Sequence, residues 1–385
     1  MLPALSFAII AFAPRQIQAS ISSKDQTVIP VERVGNYLRV NATVNGKPLR
    51  LIVDTGAGLN VLTWEAAKRI GIEGGIDTQA SGAGSKQAPA KIVTLDEFRV
   101  GDAFVKGENA VVLALPEVLR CDGLVGYSFL RHFATTFDYD NNTLTVRKSG
   151  TYRPGPDEAV GELRIRSNHP QVTGQVAGEK GWLLIDTGNN GTTSILKWLV
   201  TKQNLTHKWH TSAERVVGKG VGGEVKGFIA VAPSFDISGQ TIPEGQVTLD
   251  NSGAAAFADP EILANVGAEH LRRFRFTLDY DAKKAFFGKS KAYNSPLAVD
   301  RSGVRIDPID GKETVVSVVK NSPGDQAGVM EGDIVLEIDG KKASEVEPML
   351  FTKSLRQQAG AVVNLKVDRS GKIMDISLKL DDLVK

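Results

Sequence analysis

The sequence predicts a mainly β protein in which one unit occurs twice and is followed by a smaller α+β module. Three observations predict it. An apolar run ending in Asp-Thr-Gly occurs twice, as Leu51-Ile52-Val53-Asp54-Thr55-Gly56 and as Trp182-Leu183-Leu184-Ile185-Asp186-Thr187-Gly188. Around these runs Val40, Val44, Gly46, Asp54 and Gly56 return as Val172, Val176, Gly178, Asp186 and Gly188, each shifted by 132 residues; later Gly126, Leu130, Arg131, Phe133, Asp138, Tyr139 and Asp140 return as Gly267, Leu271, Arg272, Phe274, Asp279, Tyr280 and Asp281, shifted by 141. A constant offset over so many positions marks an internal repeat. After residue 290 the pattern changes to short β-branched runs broken by Ser-Pro-Gly, Gly-Asp and Asp-Gly turns.

A chain of 385 residues is long enough for about two to three domains. With 42% hydrophobic and 23% charged residues it can build packed cores. Its 46 basic and 44 acidic side chains leave a net charge of +2, which argues against nucleic acid as the main partner. Cys121 is the single cysteine, so no internal disulfide forms, and no motif beside it supplies the base a nucleophilic thiol needs. Residues 2–13 form an apolar run too short for a bilayer, which takes about 20 residues. The run fits the h-region of a secretory signal peptide, with Ile17-Gln18-Ala19 as the cleavage site. Residues 1–25 are therefore expected to be a signal peptide outside the fold, which makes the protein secreted or periplasmic, with no transmembrane anchor after cleavage.

The first unit is expected over 28–150. Its alternating run at 37–44 ends at Asn45-Gly46, a hairpin turn signal, and residues 49–53 then lead into Asp54. A short helix is expected over 61–70, a glycine-bearing tip between extended arms at 80–85, a second short helix at 129–133, and a hairpin over 135–146 turning at Asn141-Asn142. A Pro/Gly-bearing connector at 151–157 leads to the second unit, 158–290, which repeats the programme. In the third module, 298–385, strands are expected at 315–319, 332–340, 362–367 and 373–380, with a turn and short helix at 322–329 and a longer helix over 346–358.

Two Asp-Thr-Gly copies on equivalent loops carry a specific chemistry. One carboxylate takes a proton from water while a second, protonated carboxyl donates to the substrate carbonyl, so peptide hydrolysis proceeds without a covalent intermediate. Two carboxylates about 3 Å apart cannot both ionise, so the pair shares one proton and titrates as a unit. Gly56 and Gly188 permit the tight turn that brings backbone N–H groups to the carboxylates, and Thr55 and Thr187 are placed to hydrogen-bond across the pseudo-two-fold axis.

Asp54-Thr55-Gly56-Ala57 and Asp186-Thr187-Gly188-Asn189, each with a downstream Gly126- or Gly267-type stretch, resemble the retropepsin-like aspartic proteases in their two-lobed, single-chain, pepsin-type arrangement. The resemblance covers roughly residues 28–290. It implies a closed β-barrel-like fold per lobe, Asp54 and Asp186 as the catalytic pair, and Leu124-Val125-Gly126 as the stretch threading beneath the active loop. It also implies substrate-covering flaps at 82–85 and 218–223, with Gly82 and Gly84 in one and Gly220 and Gly222 in the other. Three positions depart from the pattern: Asn189 replaces a small or hydroxyl residue, Asn265 replaces an apolar one, and there are two flaps where pepsin-like enzymes use one. Ala57 carries no hydroxyl for an ionised Asp54, so an optimum near mildly acidic to neutral pH is expected.

Ser322-Pro323 through Gly340 resembles the core signature of PDZ domains of the bacterial protease type. The resemblance implies an α+β module that binds an extended peptide or a free C-terminus, with Gly303, Val304, Arg305 and Ile306 in the carboxylate-binding loop and its strand. Other signals lead elsewhere. Gly218-Lys219-Gly220-Val221-Gly222-Gly223 has the spacing of a dinucleotide fingerprint but no helix opens after it; His207 and His210 lack companion ligands for a metal; and Gly126-Tyr127-Ser128-Phe129-Leu130 lacks the second glycine of a nucleophile elbow. No cofactor or metal is expected. The sequence thus leads to an aspartic endopeptidase with a peptide-recognising PDZ domain. The alternative it leaves open is a catalytically inactive peptide-binding protein on the same scaffold, a reading that rests on Asn189 and Asn265.

Overall fold

The computed structural model describes residues 17–22, 25–84, 86–252, 259–346, 351 and 353–384. It is mainly β throughout. The first repeat folds around the antiparallel pair Tyr37–Val44 and Lys47–Val53, turned at Asn45-Gly46, whose inward residues Leu38, Val40, Val44, Leu49 and Leu51 are buried. The Gly123–Val125 strand then lies parallel to Lys47–Val53, with Val125 opposite Val53. The second repeat does the same. His169–Val176 pairs with Glu179–Asp186, and Ile262–Gly267 runs parallel beside it, with Gly267 opposite Asp186.

The repeats meet in one continuous sheet. Phe133–Asp138 from the first pairs antiparallel with Phe274–Asp279 from the second, and Thr136 lies opposite Thr277. These two threonines are 141 residues apart, the repeat offset itself, so the pseudo-two-fold axis passes through their 2.7 Å hydroxyl–hydroxyl bond. Beneath it Phe137 stacks on Phe276, ring centroids 4.6 Å apart, in an apolar core that spans both repeats.

Several details differ from the sequence reading, among them the second short helix, which spans Tyr127–Leu130 and gives way to a strand at Phe133 instead of covering 129–133. The segment predicted as a helix from 61 is a strand at its start: Asn60–Leu62 pairs parallel with Asn109–Leu113, and the helix Trp64–Arg69 begins only after Thr63, whose hydroxyl accepts from the Ala66 N–H as an N-cap. Gln18–Ile21 pairs with Ala103–Lys106, so a boundary at residue 25 falls inside the first repeat's sheet; backbone pairing has claimed the edge that the cleavage-site pattern suggested was outside. The earlier part of the expected signal peptide lies outside the described residues. The expected closed barrels are not found among the described residues. Strand pairing in the first repeat runs as an open path from Gln18–Ile21 at one edge to Ile76–Ala80 at the other.

The third module has its own core, with Val315, Val335, Phe351, Leu355, Val363 and Leu378 all buried. Among the described residues, its sheet has Val304–Ile309 as an edge strand paired with Lys312–Val318. The expected helix over 346–358 lies partly outside the described residues. No described helix is long and apolar enough to cross a membrane.

Candidate active site

Each Asp-Thr-Gly loop leaves the end of a buried strand and crosses over the glycine of the neighbouring parallel strand. A Cβ on Gly126 would collide with the carbonyls of Leu59 and Ala57, and one on Gly267 with those of Gly191 and Thr192. Only glycine lets the loops pass at this height.

The two loops are locked to each other by a reciprocal set of hydrogen bonds. The Thr55 N–H donates to Thr187 Oγ1 at 3.1 Å and the Thr187 N–H to Thr55 Oγ1 at 3.0 Å. Each hydroxyl then donates onward to the strand of the opposite repeat, Thr55 to the Ile185 carbonyl at 2.6 Å and Thr187 to the Val53 carbonyl at 2.8 Å. Both threonines are fully buried, so these bonds also satisfy backbone groups that water cannot reach.

This lock sets Asp54 and Asp186 face to face. The Asp186 carboxyl lies where a Cβ on Gly56 would go, and the Asp54 carboxyl where one on Gly188 would go. Gly56 donates its N–H to Asp54 Oδ1 at 2.8 Å, and Gly188 to Asp186 Oδ1 at 2.9 Å. The structure thus brings together Asp54, Thr55, Gly56, Asp186, Thr187 and Gly188, all read from the sequence.

The pair is not symmetric. Asp186 receives two further donors, the Asn189 N–H at 3.1 Å and the Asn265 Nδ2 amide at 2.7 Å. Asn265 occupies the position that Leu124 has in the first repeat, so Asp54 has no such amide. Burial pushes both carboxyls up. Asp54 stands well above the usual range, because of burial first and then the Asp186 charge, against which the Gly56 and Ala57 N–H groups act. For Asp186 the Asn265 amide, the charge of His169 and the two backbone N–H groups oppose the burial. Of the two asparagines that look like departures in the sequence, Asn265 turns its side-chain amide to Asp186, while Asn189 gives Asp186 its backbone N–H and its own amide to Thr192 and Asn265.

Sequence reasoning passed over several neighbours. Asn36, at the turn before Tyr37–Val44, reaches into the second repeat. Its N–H donates to Asn190 Oδ1 at 2.7 Å, and its side chain donates to the Asn190 carbonyl at 2.9 Å and to buried Glu269 at 2.8 Å. Shifting by 132 residues maps Asn36-Tyr37 onto Asn168-His169, whose turn packs against Gly58 in the first active loop. Tyr37 and His169 thus hold equivalent positions in the two repeats, Tyr37 near the charges of both aspartates and His169 near that of Asp186. The repeat offset was the signal that would have found them.

The two glycine-bearing tips meet. The Gly84 N–H donates to the Val221 carbonyl and the Lys86 N–H to the Gly222 carbonyl, both at 3.0 Å. Gly82 lies against Val221 and Gly220 against Ala83, contacts that leave almost no room for side chains. Val221 joins an apolar cluster with Ile52, Leu124, Tyr37 and Ala57 beside the Asp54 loop. Cys121 packs in the same cluster, where burial pushes its thiol up to about 11, out of the nucleophilic range at neutral pH.

In the third module Gly303 adopts a left-handed φ of 71°, and the Val304 N–H is held by Ser302 Oγ at 2.9 Å. Val304 and Ile306 point into the core while Arg305 pairs with Asp307 at 2.9 Å. Ser302 is held in turn by Asp300, which accepts its N–H and hydroxyl on Oδ1 and the Arg215 guanidinium on Oδ2 at 3.1 Å. Arg215 begins the Arg215–Gly220 strand, one arm of the second tip.

Comparison with known proteins agrees in part. Residues 40–129 match the family model described as aspartyl protease, and residues 302–380 that of the PDZ domain. The chain is 28% identical over 155 residues to DNA damage-inducible protein 1 of Cryptococcus neoformans, covering 39% of this chain and 34% of that protein. It is 27% identical over 157 residues to a probable periplasmic serine endoprotease DegP-like from Chlamydia pneumoniae, covering 40% of this chain and 30% of that protein. The chain thus spans about a third or less of the length of these curated relatives. A retropepsin-like aspartic protease from Rickettsia conorii is similar at 24% identity with a TM-score of 0.26, over 34% of this chain and 94% of that one.

Proposed function

We propose that the chain is a two-lobed aspartic endopeptidase, with lobes at 28–150 and 158–290, and that its PDZ domain at 298–385 recognises a peptide or protein segment. The observation that carries this reading is the facing pair Asp54 and Asp186, held by the reciprocal threonine bonds. A water between the carboxyls loses a proton to ionised Asp186, and its oxygen attacks the scissile carbonyl carbon. Protonated Asp54 donates to the carbonyl oxygen, giving a neutral gem-diol. Collapse returns a proton from the diol to Asp54, Asp186 passes its proton to the leaving nitrogen, and the C–N bond breaks. Two roles from one residue type follow from environment: the Asn265 amide favours the anion at Asp186, while Asp54, equally buried and reached by the Gly56 and Ala57 N–H groups, has no side-chain amide. The meeting tips act as flaps that exclude water once an extended peptide lies beneath them.

Some relatives are named as serine proteases, yet the candidate chemistry here has no nucleophile elbow and centres on two carboxyls. In the PDZ domain, Gly303, Val304, Arg305 and Ile306 form the candidate carboxylate loop and strand for an added peptide strand, and the Val304 N–H would have to leave Ser302 Oγ to meet a peptide carboxylate. The name of the Chlamydia relative and the expected signal peptide support a place outside the cytoplasm. Cleavage of a diverse peptide pool across pH tests the proposal, with Asp54→Asn and Asp186→Asn alongside. Cleavage by the parent and silence from both variants is expected. Equal cleavage by either variant overturns the dyad, and silence from all three while peptides still bind the PDZ domain supports the binding-protein alternative.

A further inference from the structure

On its outward face, the sheet shared by the two repeats carries an open cavity of about 950 Å³, roofed by the connector between them. Its lining is polar and rich in cations. Arg147 and Arg275 rise from the sheet, Lys289 and Arg153 stand at the rim, and Glu158 and Asp157 are the carboxylates present.

The carboxylate nearest the centre is already committed. Glu158 accepts the Tyr152 hydroxyl, the Gly155 N–H and the Arg275 guanidinium at 3.0 Å. Arg275 completes its pairing with Asp138 at 3.5 Å. Arg147 has only neutral partners among the described residues. Nε and Nη2 both donate to Gln26 Oε1, at 3.1 and 2.8 Å, Nη1 donates to Thr136 at 2.9 Å, and the guanidinium lies 5.2 Å from the Tyr152 ring centre. A half-buried cation beside a second cation and without a paired carboxylate is costly to hold. Burial and the neighbouring Arg275 charge weaken its protonated form, partly offset by Glu158.

The duplicated scaffold does not require these cations. The 141-residue offset that joins Thr136 to Thr277 puts Gly288 at the place of Arg147 and Ala134 at the place of Arg275. These two cations have no counterpart at the equivalent positions of the other copy.

We infer that this cavity is an anion-binding site for a small, hydrophilic ligand bearing a phosphate or carboxylate group, with Arg147 as its charge partner and Lys289 closing the rim. The size suits a small molecule, and a guanidinium matches the geometry of either oxyanion. Both repeats and the connector line the cavity, so a bound anion ties the two halves together.

The test uses the full chain titrated with inorganic phosphate and, separately, citrate, against chloride at equal ionic strength, read by calorimetry and by thermal shift. Saturable binding with a rise in Tm is expected, and the tighter of the two anions identifies phosphate or carboxylate as the preferred group. Arg147→Gln is expected to weaken binding about tenfold or more, while Lys372→Gln, on the PDZ domain, leaves it unchanged. No saturable binding by either anion, or equal binding by Arg147→Gln, overturns the site. Should Arg147→Gln fail to fold, Lys289→Gln at the exposed rim decides: several-fold weaker binding supports the site and unchanged binding overturns it.

Discussion

Replacing Asn265 by leucine gives the second repeat the residue that the first carries at Leu124. It removes one donor, the Nδ2 amide 2.7 Å from Asp186 Oδ2, and leaves the backbone donors of Gly188 and Asn189 in place. A hydrogen bond to a charged group contributes about 1.5 to 3 kcal/mol. At 1.36 kcal/mol per pH unit, its loss raises the apparent ionisation of the pair by about one to two units. The acid limb of kcat/KM reports the base of the free enzyme, so in Asn265→Leu that limb moves toward neutral pH by this amount. Activity on the acid side falls about tenfold to a hundredfold, while the alkaline limb, set by Asp54, moves less. The assay is kcat/KM for a fluorogenic peptide cleaved by the parent, followed from strong acid to neutral pH, with circular dichroism and Tm confirming that the variant is folded. An acid limb that stays in place in a folded variant would refute the assignment of Asp186 as the base.

Asp54→Asn is expected to abolish cleavage yet stabilise the fold near neutral pH. A carboxyl with a raised folded pKa binds its proton more tightly when folded, so its contribution is present at low pH and lost as pH rises through the folded value. A variant Tm below the parent's at every pH would contradict this. His270 acts in the opposite sense: burial and the nearby arginines hold its pKa down to about 3 from 6.5, so the fold loses stability as pH falls between those values, by about 1.4 kcal/mol per unit. His270→Gln flattens that slope in pH-dependent urea unfolding, and an unchanged slope would count against it. Thr187→Ala removes both the acceptor for Thr55 N–H and the donor to Val53, costing about 2 to 4 kcal/mol in urea unfolding, with Thr187→Ser largely restoring it; a loss under 1 kcal/mol would show that the lock is incidental. A Cβ at Gly84 runs into the backbone of Gly222, so Gly84→Ala is expected to lower kcat/KM several-fold with Tm nearly unchanged, and an unchanged kcat/KM would deny the flap role.

Much of this was legible in the sequence because the repeat carries it. The two aspartates, their threonines and glycines, and even the register of Thr136 against Thr277 follow from two constant offsets. Asn265 was legible only as an exception. Its identity looked like damage to an apolar stretch, because a sequence does not state which way a side chain turns, and here the amide turns toward Asp186. Asn36 was hidden for a related reason, since its partners Asn190 and Glu269 lie in the other repeat and no local pattern links them. The strand at Asn60–Leu62 reads as helix in the sequence because three residues are too few to show a period. The edge strand Gln18–Ile21 and the ion pair between Arg215 and Asp300 belong to the same class of long-range choice.

The unequal surroundings of Asp54 and Asp186 bear on history as well as chemistry. A symmetric dimer of identical subunits gives both carboxyls the same neighbours, and the shared proton has no preferred home until a substrate breaks the tie. Once two copies are joined in one chain, each can drift alone. Here one copy has leucine and the other asparagine, so the proton has an address before any peptide arrives. A peptide chain has direction, and a site with a fixed donor side and a fixed acceptor side can tell that direction apart. A duplicated site whose two halves differ in this way is a one-way site.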